Sequence, residues 1–196
     1  GRPVRPCSEA DAEQEFRQAK RLGARFVALG EAEYPVSLQA IDSAPPLITV
    51  RGRVEALRKP GIAIVGSRNA SALGLKLTGM LARAFADAGY LVVSGLARGV
   101  DAAAHEASAE RGTVGVLAGG VDVIYPPQNE ALAVRMLEAG ALISEMPLGW
   151  QPRRRDFPRR NRLVSGMSLG VVVVEAARGS GSLITARFAA EQGREV

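Results

Sequence analysis

Short apolar runs rich in β-branched residues recur along the chain, each set apart from the next by a helical pattern. This alternation restricts the fold more than any other feature. Ile62–Val65, Leu91–Val93, Thr113–Leu117, Ala141–Ile143 and Val171–Val174 are short and apolar, with β-branched residues prominent, as strands covered on both faces read. Between them lie helical stretches at about Leu73–Ala88, Val100–Ala109, Asn129–Glu138, Pro158–Ser168 and Leu183–Gln192. The pattern predicts an α/β fold of the extended Rossmann-like type, with a mostly parallel sheet, helices on both faces and right-handed crossovers.

The first quarter reads differently. Ala12–Leu22 is a polar amphipathic helix, Arg25–Leu29 and Leu47–Val50 are short strands, and Tyr34–Ile41 is a short helix between them. Pro45-Pro46 and Lys59-Pro60-Gly61 are breakers. Residues 1–58 are therefore expected to form an extension packing on a core of residues 59–196, with residues 1–10 as candidates for disorder. Gly1-Arg2-Pro3 lacks an initiator Met and a signal-peptide core, as a trimmed or processed chain would. Arg194-Glu195-Val196 looks like the opening of a further strand, so the natural chain is expected to continue.

Composition narrows the chemistry. No apolar run approaches the roughly 18 residues of a membrane span. The one cysteine, Cys7, excludes an intrachain disulfide and fits a reducing cytoplasm, and the one histidine, His105, argues against an ordinary zinc site. The net charge is +5, and apart from Lys20, Lys59 and Lys76 every basic side chain is arginine. Arg153, Arg154, Arg155, Arg159, Arg160 and Arg162 crowd one segment against a single acid, Asp156. Such a patch favours a polyanionic partner over a small acidic molecule.

In an open parallel sheet, ligands bind outside the carboxyl ends of the strands, so the residues after each strand carry the functional information. After Ile62–Val65 come Gly66-Ser67-Arg68-Asn69-Ala70-Ser71. Gly66 permits a tight turn, Ser71 can cap the next helix, its first amides attract anions, and Arg68 offers a fork for phosphate. An ordinary strand-to-helix turn with a solvated arginine is the plainer alternative. The stretch is neither G-x-G-x-x-G nor a Walker loop, so no nicotinamide or ATP cofactor is indicated, and no other cofactor or metal either. A second turn, Ser94-Gly95-Leu96-Ala97-Arg98-Gly99, leads to Asp101, with His105 on the same helix face. Asp101 and His105 read either as an acid/base pair or as a local hydrogen-bonded pair fixing the loop. No activated nucleophile accompanies them.

Two further segments complete the candidate surface. In Trp150–Arg162, arginines can track a backbone while Phe157 offers a stacking face and Pro158 suits a first helical turn. A solvated charged face is the alternative. After the last strand, Gly179, Ser180, Gly181 and Ser182 form a hydroxyl-rich nest for phosphate, with Thr185 and Arg187 behind it. Tyr125-Pro126-Pro127-Gln128-Asn129 reads as a rigid turn, and Glu145 as an acid that orients arginines or acts as a base.

Six of these segments, in order and in register from about Arg25 to Val196, resemble the DprA/Smf family of bacterial DNA-processing proteins. They are Ile64–Arg68, Ser94–Asp101 with His105, Tyr125-Pro126 with Asn129, Ser144-Glu145, Phe157–Arg162, and Glu175–Ala177 with Thr185–Arg187. The resemblance implies a binding protein and not an enzyme: single-stranded DNA bound with little sequence preference, a homodimer, and no membrane. It also implies loading of the RecA recombinase onto incoming strands in natural transformation, with displacement of single-strand-binding protein. It places Gly66, Ser67 and Arg68 in an anion pocket, Arg154 or Arg155 on DNA, and Phe157 near a base. Pro127 departs from the lysine common in relatives, which puts that contact in doubt. The family's small N-terminal helical domain and C-terminal winged helix have no counterpart in these residues. A phosphoribohydrolase-type nucleotide enzyme is the alternative, with Glu145 or Glu175 as its base, although Gly179-Ser180-Gly181-Ser182 does not reproduce that signature.

Overall fold

The computed structural model describes residues 7–196. Seven strands form one sheet: β1 (Ala24–Ala28), β2 (Leu47–Gly52), β3 (Gly61–Gly66), β4 (Leu91–Ser94), β5 (Thr113–Val116), β6 (Ala141–Ser144) and β7 (Ser168–Val174). Their order across the sheet is β1-β2-β6-β5-β4-β3-β7. Strands β3 to β7 run parallel, while β2 lies antiparallel between β1 and β6. The first quarter thus packs on the core by lengthening its sheet. Seven helices accompany the strands: α1 (Glu9–Arg21), α2 (Val36–Gln39), α3 (Ala72–Asp87), α4 (Val100–Ser108), α5 (Glu130–Met136), α6 (Asp156–Gly166) and α7 (Gly181–Glu191). None is long and apolar enough to cross a membrane.

The pleat divides the core between two layers. Ile64 and Val92 point to one face, where Ala82 of α3 and Val100 and Ala104 of α4 cover them. Ala63, Val65, Leu91 and Val93 point to the other, against Leu163 and Val164 of α6 and Ala189 of α7. Every residue of β4, β5 and β6 is buried, so continuous apolar runs were the right signature of strands with helices on both sides.

Element ends depart from the sequence pattern where capping intervenes. Pro35 holds an extended ψ, so the helix expected from Tyr34 shrinks to Val36–Gln39, while the Tyr34 hydroxyl donates to the Pro45 carbonyl at 2.8 Å. Asp156 and Phe157 already lie in α6, because the Asp156 carboxylate accepts the Arg153 amide at 2.8 Å and closes the preceding turn. Glu195 makes one parallel bridge to Gly170, with its carbonyl accepting the Val171 amide at 2.8 Å. Of the residues proposed for disorder, 1–6 lie outside the described residues, and Glu9 and Ala10 are helical.

The topology fixes where a ligand can enter. From β3 the chain steps outward through β4, β5 and β6, then α6 carries it back to β7 on the other side of β3. The crevice beyond the carboxyl ends of β3 and β7 is therefore the switch point of the sheet. Closure there leaves no space at Gly66, where a Cβ would stand 1.9 Å from the Val174 carbonyl oxygen. Gly66→Ala is expected to cost about 3 kcal/mol or more, since backbone atoms of the paired strands β3 and β7 must separate; chemical denaturation measures it.

His105 is fully buried in α4, with Nδ1 2.8 Å from the Thr113 hydroxyl and Nε2 without a protein partner. Burial lowers its pKa from 6.5 to about 3. Below pH 6.5 the unfolded chain takes up a proton that the folded chain refuses. This contribution to stability is therefore complete above 6.5 and is lost as pH falls. Between pH 6 and 4 the slope should approach about 1.4 kcal/mol per pH unit. Asp101, whose carboxyl burial pushes up, acts in the opposite sense but is common to both proteins when wild type is compared with His105→Gln. Parallel stability curves for the two would sink the assignment.

Candidate nucleic-acid interface

Three turns meet at the switch point, and main-chain bonds of Ser67 join them. Its amide donates to the Val174 carbonyl of β7 at 3.1 Å, and its carbonyl accepts the Val100 amide of α4 at 3.1 Å. Gly99 adopts φ +74°, and a Cβ there would lie 2.3 Å from the Ser67 carbonyl oxygen. Only glycine lets the second turn nest beneath the first.

The second turn is held from below. The Asp101 carboxylate accepts the Gly95 and Ala97 amides at 3.1 and 3.2 Å. The Asn129 side chain donates to the Leu96 and Ala97 carbonyls. These bonds hold buried Leu96 at φ +58°, a conformation costing a non-glycine residue about 1–2 kcal/mol. Asp101 and His105 share a helix face but not a bond: one holds the loop, the other the Thr113 hydroxyl. Ser94 is likewise internal, its hydroxyl donating to the Ile64 carbonyl at 2.6 Å.

A cleft of about 630 Å³ opens above these turns, lined by Gly66, Ser67, Arg68, Gly95, Arg154, Phe157, Arg160, Asn161, Ser180, Gly181, Ser182 and Thr185. A second of about 290 Å³ adjoins it, lined by Arg68, Arg98, Tyr125, Pro126, Pro127, Gln128 and Phe157 among others. Between them stands an aromatic shelf. The Tyr125 and Phe157 rings are 5.4 Å apart, and the Arg68 guanidinium lies 5.8 Å from the Phe157 centroid. Tyr125 was legible in the sequence only as part of a turn; an aromatic directly before Pro-Pro at a strand-end loop is the signal that could have marked it.

The helix starts that follow β3 and β7 differ. At α3, the Ser71 hydroxyl accepts the Gly74 amide at 3.0 Å, and the Glu175 carboxylate accepts both the Ser71 amide, at 2.8 Å, and the Ser71 hydroxyl. Of the amides expected there to await an external anion, that of Ser71 is held by an internal carboxylate and that of Gly74 by the Ser71 hydroxyl. These bonds keep the Glu175 carboxyl below the usual carboxylate range. At α7, no side chain caps the first turn, and the Ser180 hydroxyl instead meets that of Ser182 at 2.7 Å. The start of α7 therefore borders the larger cleft with backbone amides that no side chain caps.

The arginines divide by environment. Arg68 and Arg154 are exposed in the larger cleft, and Arg98 is exposed in the smaller one. Arg153 stacks over Trp150 at 4.8 Å, and Arg155 lies 4.0 Å from Asp156; neither lines a cleft. Asp156 also accepts the Trp150 indole N–H at 3.0 Å, and that bond chiefly holds its carboxyl low. Arg160 turns inward. Its guanidinium donates to the Gly95 carbonyl at 2.7 Å and to the Val116 carbonyl, and burial lowers its pKa to about 10. Arg162 is mostly buried and, with Arg159, grips Glu145. Arg187 pairs with Glu191 at 3.5 Å, and neither it nor Gly179 lines a cleft.

Of the two carboxylates weighed as bases, Glu145 thus sits between arginines away from the cleft, and Glu175 is engaged by Ser71. Among the described residues, no cluster of three or more His, Cys, Asp or Glu could hold a metal ion. The split between arginines has a direct consequence. Arg160→Ala should lose about 3 kcal/mol or more, because two buried carbonyls lose a charged donor. Arg154→Ala should stay within about 0.5 kcal/mol of wild type. Urea denaturation of both variants checks this.

Residues 25–196 match the family described as DNA recombination-mediator protein A. The chain is 45% identical over 166 residues to Protein Smf of Escherichia coli, covering 83% of this chain and 44% of Smf. It superposes on the X-ray structure of DNA processing protein A from Streptococcus pneumoniae with a TM-score of 0.87 at 35% identity, over 96% of this chain and 65% of that one. A structure of the Helicobacter pylori protein, described for its single-stranded DNA binding mode, follows at a TM-score of 0.79 and 28% identity, over 87% and 78% of the two chains. The chain spans about half the length of the curated relatives it matches. With the fold, the order of motifs and these similarities in agreement, the chain belongs to the DprA/Smf family of DNA-processing proteins.

Proposed function

We propose that the switch-point cleft binds single-stranded DNA through phosphates and base faces, with little sequence preference. One observation carries this reading: exposed Arg68 and Arg154, the uncapped start of α7 and the Tyr125–Phe157 shelf all border one continuous opening. Arginine forks and helix amides recognise phosphate in any sequence, and an aromatic face accepts any base. A duplex would not offer its bases to the shelf. The single-stranded DNA binding described for the Helicobacter pylori relative supports the same reading. Arg98 would extend the track past the shelf, where Pro127 contributes no charge. On this reading the protein works in the cytoplasm as a homodimer that passes bound strand to the RecA recombinase and relieves its exclusion by single-strand-binding protein.

The test is a titration with a single-stranded oligonucleotide across a salt series. Affinity should fall with a log–log slope of about −0.7 per phosphate contacted. Arg68→Ala and Arg154→Ala should weaken binding and flatten the slope. Phe157→Ala should cost about 1–3 kcal/mol and leave the slope unchanged. Salt-independent affinity would contradict the proposal. For the recombinase step, wild type but not Arg68→Ala should accelerate RecA filament growth on strands coated with single-strand-binding protein.

A further inference from the structure

The larger cleft is not uniformly basic. Two acids border it: Asp101 is buried and spent on loop amides, whereas Glu175 is exposed. Glu175 is also immobilised. Its backbone holds φ +52° at the end of β7, and its carboxylate accepts the Ser71 amide and hydroxyl at the start of α3. Gly74 makes room for it, since a Cβ there would meet the Glu175 Oε1 at 2.4 Å. A carboxylate tethered this way cannot swing into solvent when a ligand arrives.

We propose that Glu175 is a specificity-determining residue: a fixed anion that weakens the cleft's preference for terminal phosphomonoesters and free nucleotides over the internal phosphodiesters of a strand. This inference rests on the single-stranded DNA reading of the same cleft. A phosphodiester carries one negative charge, whereas a phosphomonoester carries about −1.5 to −2 at pH 7. Arg68, Arg154 and the start of α7 would by themselves favour the more highly charged monoester. Glu175 repels it more strongly by the same arithmetic, and it already occupies the Ser71 amide before α3. The Ser71 bonds keep the carboxyl ionised across the physiological range. An extra half to one unit of charge a few ångströms from an exposed carboxylate changes affinity about 3- to 10-fold, less in high salt.

The experiment compares thymidine 5′-monophosphate with its methyl diester, which differ in charge but not in base or sugar. Each is titrated calorimetrically into wild type and Glu175→Gln at low salt, beside an unphosphorylated oligothymidylate. Gln preserves the size of the side chain and a carbonyl to accept the Ser71 amide, and a thermal melt verifies folding. Glu175→Gln should tighten binding of all three, and tighten the monophosphate about 3- to 10-fold more than the diester or the oligonucleotide. An equal gain for all three, or no gain for the monophosphate, overturns the proposal. Ser71→Ala, which loosens the tether and keeps the charge, provides a second arm; a monophosphate gain there equal to that of Glu175→Gln would also overturn it. Failure of wild type to bind the oligonucleotide would refute the parent reading separately, while the two nucleotides still report on Glu175.

Discussion

The hydrogen bond from the Ser67 amide to the Val174 carbonyl is the interaction on which the rest of the site depends. It extends the β3–β7 pairing one residue past the strand, at the place where the direction of strand addition reverses. Because Gly66 has no side chain, the two strand ends close to van der Waals contact. The Ser67 carbonyl then takes the first amide of α4, bringing the turn after β4 beneath the turn after β3. Residues remote in sequence thereby share a single rim without any need for ligand. The fold supplies position; the ligand meets a surface already assembled.

Charge on this rim is sorted by desolvation. A guanidinium taken out of water needs fixed partners, and Arg160 finds backbone carbonyls while Arg162 finds Glu145. Those side chains stiffen α6 against the sheet and have little left to offer a strand of nucleic acid. Arg68, Arg98 and Arg154 remain hydrated and available. The basic segment therefore contains two populations that composition alone cannot separate. Its inner members hold the platform, and its outer members face whatever lands on it.

The fold was legible because its strands are buried on both faces, which leaves uninterrupted runs such as Val171–Val174 that few other structures tolerate. The place of β2 was not legible. An antiparallel edge addition such as Leu47–Gly52 has no local signature that names β6 as its neighbour. In the site, Gly66, Arg68, Phe157 and Ser180–Ser182 declared themselves through turn chemistry and spacing. Glu175 did not, because its role as a cap for α3 joins residues far apart in the chain, and Arg160 read as a surface charge for the same reason. Side-chain partners set by tertiary closure leave no trace in periodicity.

The antiparallel flank also bears on how the molecule forms. β2 can pair locally with β1 but can join the main sheet only after β6 exists, and β6 lies far downstream, so the bond between β2 and β6 belongs to the slow, non-local class of contacts. The parallel core from β3 to β6 closes through neighbouring βα units and does not wait for the flank. During synthesis β1 and β2 are made before β6 and are thus among the last of the seven strands to dock, and the buried apolar side chains of β2, Ile48 and Val50 among them, stay exposed meanwhile. This flank is older in translation than the strands it joins and younger than they are in the folded sheet.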